Sequence, residues 1–358
     1  MYHRCEWAIY GTGCSKIESL FQGIAAAAGD RFRLTYIDAD HKLESSGMHA
    51  QVNEKIFSSK STSLWNSFDD KLSLFPTDAV FINGNHYPAS RQIVLLDPEK
   101  KDSLERRKDQ LTKIHILIKE NEEEEVFDFV KERMTEETQV FTQSQMASVH
   151  DVILKDIESN VPELKALILA GGKSQRMGQD KSQLVYQGEQ PQELYIAELC
   201  QSLGLKAYIS KGVDFDHENI SGIPVIKDRL TDMGPFGAII SAFMHDPDAA
   251  WLVVACDLPF ITTESLDFLI DQRYTSGLAT AYKADHRPFP EPLITIYEPK
   301  AYNRFLSFLS LGYSCPRKVI INSDVRVLEV DDDSVIHNVN TPEQLEEATE
   351  RLKKHNPK

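Results

Sequence analysis

The second half of the chain opens with the run Leu167-Ile-Leu-Ala-Gly-Gly-Lys-Ser-Gln-Arg-Met-Gly-Gln-Asp-Lys181. Its apolar start, residues 166–170, predicts a buried strand that leads into the glycine pair Gly171-Gly172. Because glycine has no Cβ, adjacent glycines let backbone N–H groups approach a bound anion closely. A tight turn between a strand and a loop would use the same pair, so the glycines alone leave both interpretations open.

Two cations follow the turn, Arg176 and Lys181, at positions where they could meet a triphosphate. A guanidinium binds phosphate through two parallel hydrogen bonds, whereas a lysine acts as a point charge. The segment is not a P-loop, because that motif needs a glycine five residues before Gly172 and the chain has Leu167 there. We therefore predict a phosphate site that differs from the Walker A type.

Four segments, in the same order, resemble the molybdenum cofactor guanylyltransferases, the MobA family. They are the run quoted above, Val225-Ile-Lys-Asp228 with Gly234-Pro-Phe-Gly-Ala-Ile239, Val253-Val-Ala-Cys-Asp-Leu-Pro-Phe260, and Asn338-Val-Asn-Thr-Pro-Glu343. The resemblance covers about residues 163–355. It implies a Rossmann-like nucleotidyltransferase fold and transfer of GMP from GTP to the terminal phosphate of molybdenum–molybdopterin, with release of pyrophosphate.

The resemblance also implies which residues form the site. The implied catalytic residues are Arg176, Lys181, Asp257, Arg317, Asn338 and Asn340. The implied nucleotide-binding residues are Leu169, Ala170, Gly171, Gly172, Lys181, Ser210, Asp228, Gly234, Pro235 and Asp257. Mg²⁺ is the implied cofactor and Asp257 its ligand, although an aspartate that caps a helix or a turn would suit the same position. Molybdoenzymes or other proteins of the cofactor pathway are implied partners.

The glycine pair also bears on the choice of base. Related cytidylyltransferases usually have Ala-Ala-Gly where this chain has Ala170-Gly171-Gly172, and that difference is associated with guanine rather than cytosine. Ser210 stands where the family commonly has asparagine, and a hydroxyl donates only one hydrogen. Three alternatives to a guanylyltransferase stay open: a molybdopterin cytidylyltransferase, a sugar-1-phosphate nucleotidyltransferase, and a non-catalytic protein that binds or delivers the cofactor.

The first 140 residues alternate strand-like and helical segments, which predicts a mostly parallel sheet with helices on its faces. Gly11-Thr-Gly-Cys-Ser-Lys16 lies between an apolar strand and a helix, as a P-loop does, but its spacing is one residue short and Ile17 replaces the Ser/Thr that binds Mg²⁺. With Asp78-Ala-Val-Phe-Ile-Asn-Gly-Asn-His86 and Arg91-Gln-Ile-Val-Leu-Leu96, it resembles the MobB family of guanine-nucleotide-binding accessory proteins. The implied domain is a degenerate P-loop domain with either a structural or docking role or residual nucleotide binding.

Together these patterns predict an α/β protein of two domains, each a mostly parallel sheet flanked by helices. The predicted boundaries are 1–140 for the first domain, 141–162 for a polar linker and 163–358 for the second domain. An acidic stretch at 120–137 predicts an amphipathic helix that closes the first domain. Thr341 as N-cap, Pro342 at the first position and Gln344 three residues after the cap predict a final helix with a capping box.

Composition narrows the function classes. The chain has 358 residues and a net charge of −16, so general affinity for nucleic acids is not expected and any phosphate must be bound locally. It lacks both an apolar run of about 18 residues and an N-terminal signal pattern, so we expect neither a membrane span nor secretion. Five cysteines without a C-x-x-C pair argue against a disulfide scaffold or structural zinc and favour a reducing cytoplasm.

Overall fold

Alternation of strands and helices along the chain produces two α/β units, Met1–Val161 and Pro162–Lys358. A computed structural model describes residues 5–39, 48–52, 55–58, 67–171, 184–186, 190–330 and 333–355. Each unit is built on one largely parallel sheet with helices packed on its faces, which confirms the predicted fold class.

The first unit contains six neighbouring parallel strands. Its strands are β1 (Glu6–Tyr10), β2 (Leu34–Ala39), β3 (Met48–Val52), β4 (Lys55–Ser58), β5 (Ala79–Asn83), β6 (Arg91–Leu95), β7 (Ile114–Lys119) and β8 (Gln139–Thr142). Its helices are α1 (Cys14–Ala28), α2 (Ser67–Leu74), α3 (Lys101–Glu105), α4 (Asp128–Lys131) and α5 (Met146–Ser159). The strand order is β4-β3-β2-β5-β1-β6-β7-β8. The six neighbours β2, β5, β1, β6, β7 and β8 run parallel, whereas β3 pairs antiparallel with β2, and β4 pairs antiparallel with β3.

Strand β1 lies at the centre of this sheet and is buried along its whole length. Successive side chains of a strand point to opposite faces, so Trp7 and Ile9 enter one core while Ala8 and Tyr10 enter the other. A strand covered on both faces is apolar over most of its length, which explains the continuous hydrophobic pattern of residues 7–10.

The segment predicted as a linker, 141–162, lies in the first unit except for its last residue, Pro162, which begins the second unit. Helix α5 packs against α1, and its residues Val149, Ile153, Leu154 and Ile157 are buried in the same core as Trp7. Their spacing of three and four residues places one apolar stripe on the sheet, so this helix is part of the domain's own core. The boundary between the units falls at Val161, about twenty residues later than the predicted end of the first domain.

The acidic stretch at 120–137 does not form the predicted amphipathic helix. Only α4, a single turn, is helical there, and the residues before it form turns. Asn121 accepts hydrogen bonds from the backbone N–H groups of Glu123 and Glu124, at 3.0 and 3.1 Å, so its side chain competes with helical pairing. Glu122 and Glu125, three residues apart, would also repel each other on a helix.

The second unit carries a sheet with the strand order β11-β12-β10-β9-β13-β15-β14-β16. Its strands are β9 (Leu164–Leu169), β10 (Lys206–Lys211), β11 (Asn219–Ile220), β12 (Ile223–Lys227), β13 (Ala250–Ala255), β14 (Ala279–Ala284), β15 (Ile294–Tyr297) and β16 (Val325–Val330). Its helices are α6 (Gln192–Ser202), α7 (Gly234–His245), α8 (Thr263–Asp271), α9 (Lys300–Ser310), α10 (Pro316–Ile321) and α11 (Pro342–His355). Strands β12, β10, β9 and β13 are parallel, whereas β15 runs antiparallel to both of its neighbours.

Two cores sandwich this sheet. Ala166 and Ile168 of β9 face the core that is covered by α6 and α8, while Leu167 and Leu169 face the core that is covered by α7, α9 and α10. The alternation repeats the arrangement of β1 in the first unit and explains why β9 is apolar at every position after its first two residues.

The final helix begins as predicted. The Gln344 N–H donates to Thr341 Oγ1 at 3.3 Å, and the backbone N–H of Thr341 donates to Gln344 Oε1 at 3.2 Å. This reciprocal pair satisfies two donors at the start of α11 and fixes the direction in which the preceding residues, 338–340, enter the helix.

The sequence expectations on membranes and cysteines can be compared with the structure. None of the helices in the described part of the chain combines the length and the apolar character that a membrane-spanning helix needs. All five cysteines lie within the described residues, and none of them forms a disulfide there.

The role of α5 in the first core yields a stability prediction. Replacing Ile153 by alanine should lower the free energy of unfolding by about 2–5 kcal/mol, because the side chain is fully buried and its removal leaves a cavity. The exposed Lys155→Ala change on the same helix should stay within about 0.5 kcal/mol of the parent. Urea unfolding followed by circular dichroism measures both changes in the free energy of unfolding. If both changes were equally small, residues 141–161 would be better described as a linker.

Candidate active site

The carboxyl ends of four parallel strands meet at one edge of the second sheet. Gly171 follows β9, and Ser210 is the residue before the last in β10. Asp228 follows β12 and Asp257 follows β13. Open α/β sheets bind their ligands at this edge, outside the carboxyl ends of the strands. The fold therefore brings four of the predicted nucleotide-binding residues to neighbouring strand ends.

Backbone hydrogen bonds continue past the ends of the strands and fix the turns. The Ala170 N–H donates to the Ser210 carbonyl at 3.3 Å, and the Cys256 N–H donates to the Leu169 carbonyl at 3.3 Å. The Asp228 N–H donates to the Lys211 carbonyl at 2.8 Å. Because these residues are tied to their neighbours, the side chains that follow are held in defined positions.

Ser210 and Asp228 interact directly. The Ser210 hydroxyl, almost fully buried, donates to Asp228 Oδ1 at 3.1 Å. Burial raises the pKa of Asp228 to about 6, and the hydrogen bond from Ser210 opposes that rise only in part. The serine that stands at the usual asparagine position is thus a partner of the neighbouring aspartate.

Asp257 and Asn338 are brought together from positions 81 residues apart. Asn338 Nδ2 donates to Asp257 Oδ1 at 3.3 Å, and the Val339 N–H donates to the Asp257 carbonyl at 2.8 Å. Two hydrogen bonds therefore tie the segment before α11 to the end of β13. They place a carboxylate and a side-chain carboxamide next to each other at the edge of the sheet.

A cavity of about 560 Å³ opens beside this contact. Among its lining residues are four of the predicted site residues, namely Pro235, Arg317, Asn338 and Asn340. The structure thus groups residues from the start of α7, the start of α10 and the segment before α11. This size is typical of sites that bind small molecules.

The same cavity contains a charged group that the sequence analysis missed. Glu291 is almost fully buried, and its Oε2 lies 3.3 Å from Arg287 Nη1 and 3.6 Å from Arg317 Nη2. Burial raises the pKa of Glu291, and the positive charge of Arg317 opposes that rise only in part. The available signal was an acid and a base four residues apart in a segment with three prolines, Arg287-Pro-Phe-Pro-Glu-Pro292, just before a predicted strand.

The segment Gly234-Pro235-Phe236-Gly237 has mostly structural reasons for its residues. Gly234 adopts a φ of +52°, which favours glycine, and a Cβ at Gly237 would lie 2.7 Å from the Leu230 carbonyl oxygen. Phe236 is buried in the core, whereas Pro235 lines the cavity. Pro235 is therefore the residue of this segment that can touch a ligand in the cavity.

Three predicted site residues lie outside the described residues, namely Gly172, Arg176 and Lys181. At the described start of that loop, Lys211 Nζ lies 2.6 Å from the buried Glu193 carboxylate and 3.4 Å from the Ala170 carbonyl oxygen. The buried ion pair ties the end of β10 to the start of α6, and the hydrogen bond to Ala170 ties it to the end of β9.

The family model matches residues within the second unit, where the site described above lies. Residues 166–325 match the family model of the MobA-like NTP transferase domain. A probable molybdenum cofactor guanylyltransferase of Pelotomaculum thermopropionicum is 31% identical over 192 residues, which cover 51% of this chain and 90% of that relative. The chain belongs to the molybdenum cofactor guanylyltransferase family. The resemblance predicted for residues 163–355 is thereby confirmed.

Two further proteins similar to this family member cover about half of the chain. The molybdenum cofactor biosynthesis bifunctional protein of Synechocystis is 36% identical over 184 residues, and the match spans 50% of this chain and 52% of that relative. The structure of the molybdopterin-guanine dinucleotide biosynthesis protein A of Archaeoglobus fulgidus has 21% identity and a TM-score of 0.44, covering 53% of this chain and 99% of that one. The MobB-like interpretation of residues 1–140 stays a prediction.

The raised pKa of Asp228 predicts a pH dependence of stability. The pKa rises from 3.8 to about 6 on folding, so the folded state binds more protons and stability falls as pH rises through this range. Asp228→Asn keeps an oxygen for Ser210 and removes the charge, so it should match the parent at about pH 4 and exceed its stability at about pH 7. Thermal unfolding across this range measures the difference.

The control for this prediction is Asp232→Asn, at an exposed position with a φ of +57° that asparagine tolerates. This variant should follow the parent at every pH. A constant offset for Asp228→Asn across the range would contradict the assignment.

Proposed function

We propose that the second unit transfers GMP from GTP to the terminal phosphate of molybdenum–molybdopterin and releases pyrophosphate. Membership of the guanylyltransferase family supports the reaction class. The observation that carries the proposal is the contact between Asp257 and Asn338, which lies beside a cavity that contains Arg287 and Arg317. Carboxylate, amide and guanidinium groups together suit a reaction between two phosphates.

The reaction needs alignment more than covalent chemistry from the protein. A terminal phosphate oxygen of the pterin attacks the α-phosphorus of GTP, a new phosphorus–oxygen bond forms, and the bond to the β-phosphate oxygen breaks with release of pyrophosphate. The protein must hold these oxygens in line and neutralise the charge that develops on them. The fixed strand ends supply the necessary rigidity.

The donor chemistry beside the cavity fits Mg²⁺. This ion prefers oxygen ligands and is commonly held by one or two carboxylates together with substrate phosphates. Asp257 would be the carboxylate ligand, and the carboxamide of Asn338 lies next to it. When bound there, Mg²⁺ would neutralise phosphate charge and orient the leaving group.

Arg317 and Arg287 would bind the anionic substrate. Glu291 lies against both guanidinium groups, so it holds them in place while neutralising only one of the two charges. Arg317 remains about half exposed and can therefore turn toward a phosphate in the cavity. Asn338 and Asn340, on the opposite segment, would orient the pterin phosphate through their side-chain amides.

The guanine would lie near Gly171 and Asp228. Gly171 does not need a left-handed φ, and a Cβ there would make ordinary contacts with the backbone of Gly212 and Lys211. Packing against the described residues therefore does not demand glycine at this position, which supports a role in leaving room for the ligand. A carboxylate at Asp228 can accept hydrogen bonds from the N–H groups of guanine, and loss of its proton would accompany binding.

The setting of the reaction is part of the same proposal. GTP and molybdopterin are the proposed substrates, and molybdoenzymes or other proteins of the cofactor pathway are the proposed partners. The number and spacing of the cysteines favour the cytoplasm.

The direct test is a pyrophosphate-release assay. The purified full chain, with Mg²⁺ and molybdenum–molybdopterin, should release pyrophosphate with GTP and form the guanine dinucleotide. CTP and a sugar 1-phosphate acceptor, tested in parallel, should give at most background rates. Preference for CTP would instead indicate a cytidylyltransferase, turnover of the sugar phosphate would indicate the sugar enzyme, and binding of pterin without turnover with any nucleotide would indicate a delivery protein.

The role of Asp257 yields a second prediction. Asp257→Asn should lower kcat by about 10²–10³-fold, because it removes the charge of the proposed metal ligand while the amide can keep the contact with Asn338. Steady-state kinetics with GTP measures the loss. Asp267→Asn, a change of the same kind at an exposed position of α8, should keep the parental kcat. Wild-type turnover by Asp257→Asn would remove this residue from the mechanism.

A further inference from the structure

The first unit has a group of potential metal ligands at the carboxyl edge of its own sheet. Cys14 begins α1 after the glycine turn that follows β1, Asp38 lies near the end of β2, and His86 follows β5. Strands β2, β5 and β1 are adjacent and parallel, so their carboxyl ends meet at one place. Three separate parts of the sequence thus supply a thiol, a carboxylate and an imidazole to one spot.

The distances within this group are close to those of a metal shell. Cys14 Sγ lies 3.8 Å from His86 Nε2, which in turn lies 3.6 Å from Asp38 Oδ1. One ligand atom from each of the three residues lies within 4.8 Å of the others. A tetrahedral ion with a sulfur ligand at about 2.3 Å and nitrogen and oxygen ligands at about 2.0–2.1 Å needs ligand separations of roughly 3.3–3.6 Å. The two separations that involve His86 would therefore need to shorten by only a few tenths of an ångström.

Surrounding residues hold the carboxylate in orientation. Asn83 Nδ2 donates to Asp38 Oδ1 at 2.9 Å, and the Tyr36 hydroxyl donates to Asp38 Oδ2 at 2.9 Å. Tyr36 is buried, and its neighbour Asp38 is only 22% exposed. Hydrogen bonds of this kind orient the ligands of metal sites in proteins.

The turn that carries His86 is also constrained. A Cβ at Gly84 would lie 2.7 Å from the ring of the buried Tyr10, so the backbone passes too close to the ring for any other residue. The Asn85 side chain donates to the Thr12 carbonyl at 3.0 Å, which links this turn to the loop before Cys14. The two segments that provide the imidazole and the thiol are therefore fixed to each other.

The cation of the degenerate P-loop already has an anionic partner. Lys16 Nζ donates to Asp97 Oδ2 at 3.0 Å, and Thr12 Oγ1 donates to the same oxygen at 2.8 Å. The Asp97 carboxylate is thus already paired with the lysine that a phosphate would need. This pairing disfavours a nucleoside triphosphate as the ligand at the carboxyl edge of the first sheet.

We propose that Cys14, Asp38 and His86 form a binding site for a divalent transition-metal ion of the zinc class, with a fourth position open to water or a small ligand. Thiolate and imidazole are the ligands that such borderline-soft ions select, whereas Mg²⁺ and Ca²⁺ prefer oxygen. On binding, the Cys14 thiol gives its proton to solvent and the thiolate bonds to the ion. The site lies in the first unit and does not depend on the guanylyl transfer proposed for the second.

The test is a Co²⁺ titration of the untagged full chain after treatment with a chelator, carried out in excess Mg²⁺ so that the proposed Mg²⁺ position at Asp257 does not take up Co²⁺. One equivalent should bind with a thiolate-to-cobalt charge-transfer band in the near ultraviolet and with the visible bands of a tetrahedral ion, and Zn²⁺ should displace it. Cys14→Ser should abolish the charge-transfer band. His86→Gln and Asp38→Asn should weaken binding by at least about 10-fold.

Matched controls use residues of the same types elsewhere in the chain. Cys315→Ser and His217→Gln, both changes of exposed or solvent-facing side chains in the second unit, should leave the titration unchanged. Tyr36→Phe keeps the buried ring but removes the hydrogen bond to Asp38, so it should weaken binding by about 10-fold while keeping the charge-transfer band. Circular dichroism of each variant checks that it is folded.

Three results would overturn the proposal. They are a folded parent chain that binds no Co²⁺, a bound ion that shows no thiolate band, and a band that survives Cys14→Ser. Because the readout is metal binding, each of these results would leave guanylyl transfer by the second unit unaffected.

Discussion

The pairing of β9 with both of its neighbours is the constraint on which the active-site edge depends. Leu169 is the residue opposite Ser210 on one side and opposite Ala255 on the other. Gly171 and Asp257 therefore each follow the same rung of the sheet by two residues. A slip of one residue would turn the apolar side chains of β9 to the wrong cores, so the burial that stabilises the strand also sets the level of the site residues.

Charge at this edge is arranged against the overall balance of the chain. Asp228, Asp257 and Glu291 gather acidic groups close to where an anionic nucleotide is proposed to bind, and burial raises the pKa of both Asp228 and Glu291. A site of this composition binds phosphate only when local cations outweigh the carboxylates. In the cavity, the guanidinium groups of Arg287 and Arg317 outnumber the single carboxylate of Glu291. At the rest of the edge, the proposed Mg²⁺ would offset the carboxylates of Asp228 and Asp257, so phosphate can be bound locally although the net charge of the chain is −16.

Much of the fold could be predicted because buried strands, helix caps and ordered motifs leave strong local signals. The strand before Gly171 and the capping box at Thr341 are such cases, and the order of motifs anticipated that Asp257 and Asn338 belong to one site. For the Glu291 group the sequence offers only the spacing of Arg287 and Glu291, because tertiary packing brings Arg317 to them. Strand direction was equally invisible: β15 reads as a strand, but nothing local shows that it runs antiparallel. At 120–137, charge repulsion and asparagine turns outweighed amphipathic composition.

The two units show what a glycine turn after a buried strand can and cannot predict. In both, the turn lies at the carboxyl edge of a parallel sheet, so its position follows from the topology. The ligand does not follow, because it is decided by side chains that other strands bring to the edge. In the first unit these are the thiol of Cys14, the carboxylate of Asp38 and the imidazole of His86, and Asp97 already neutralises Lys16. In the second they are oxygens and guanidinium groups. The same local motif therefore leads to a soft-metal site in one unit and to phosphate chemistry in the other.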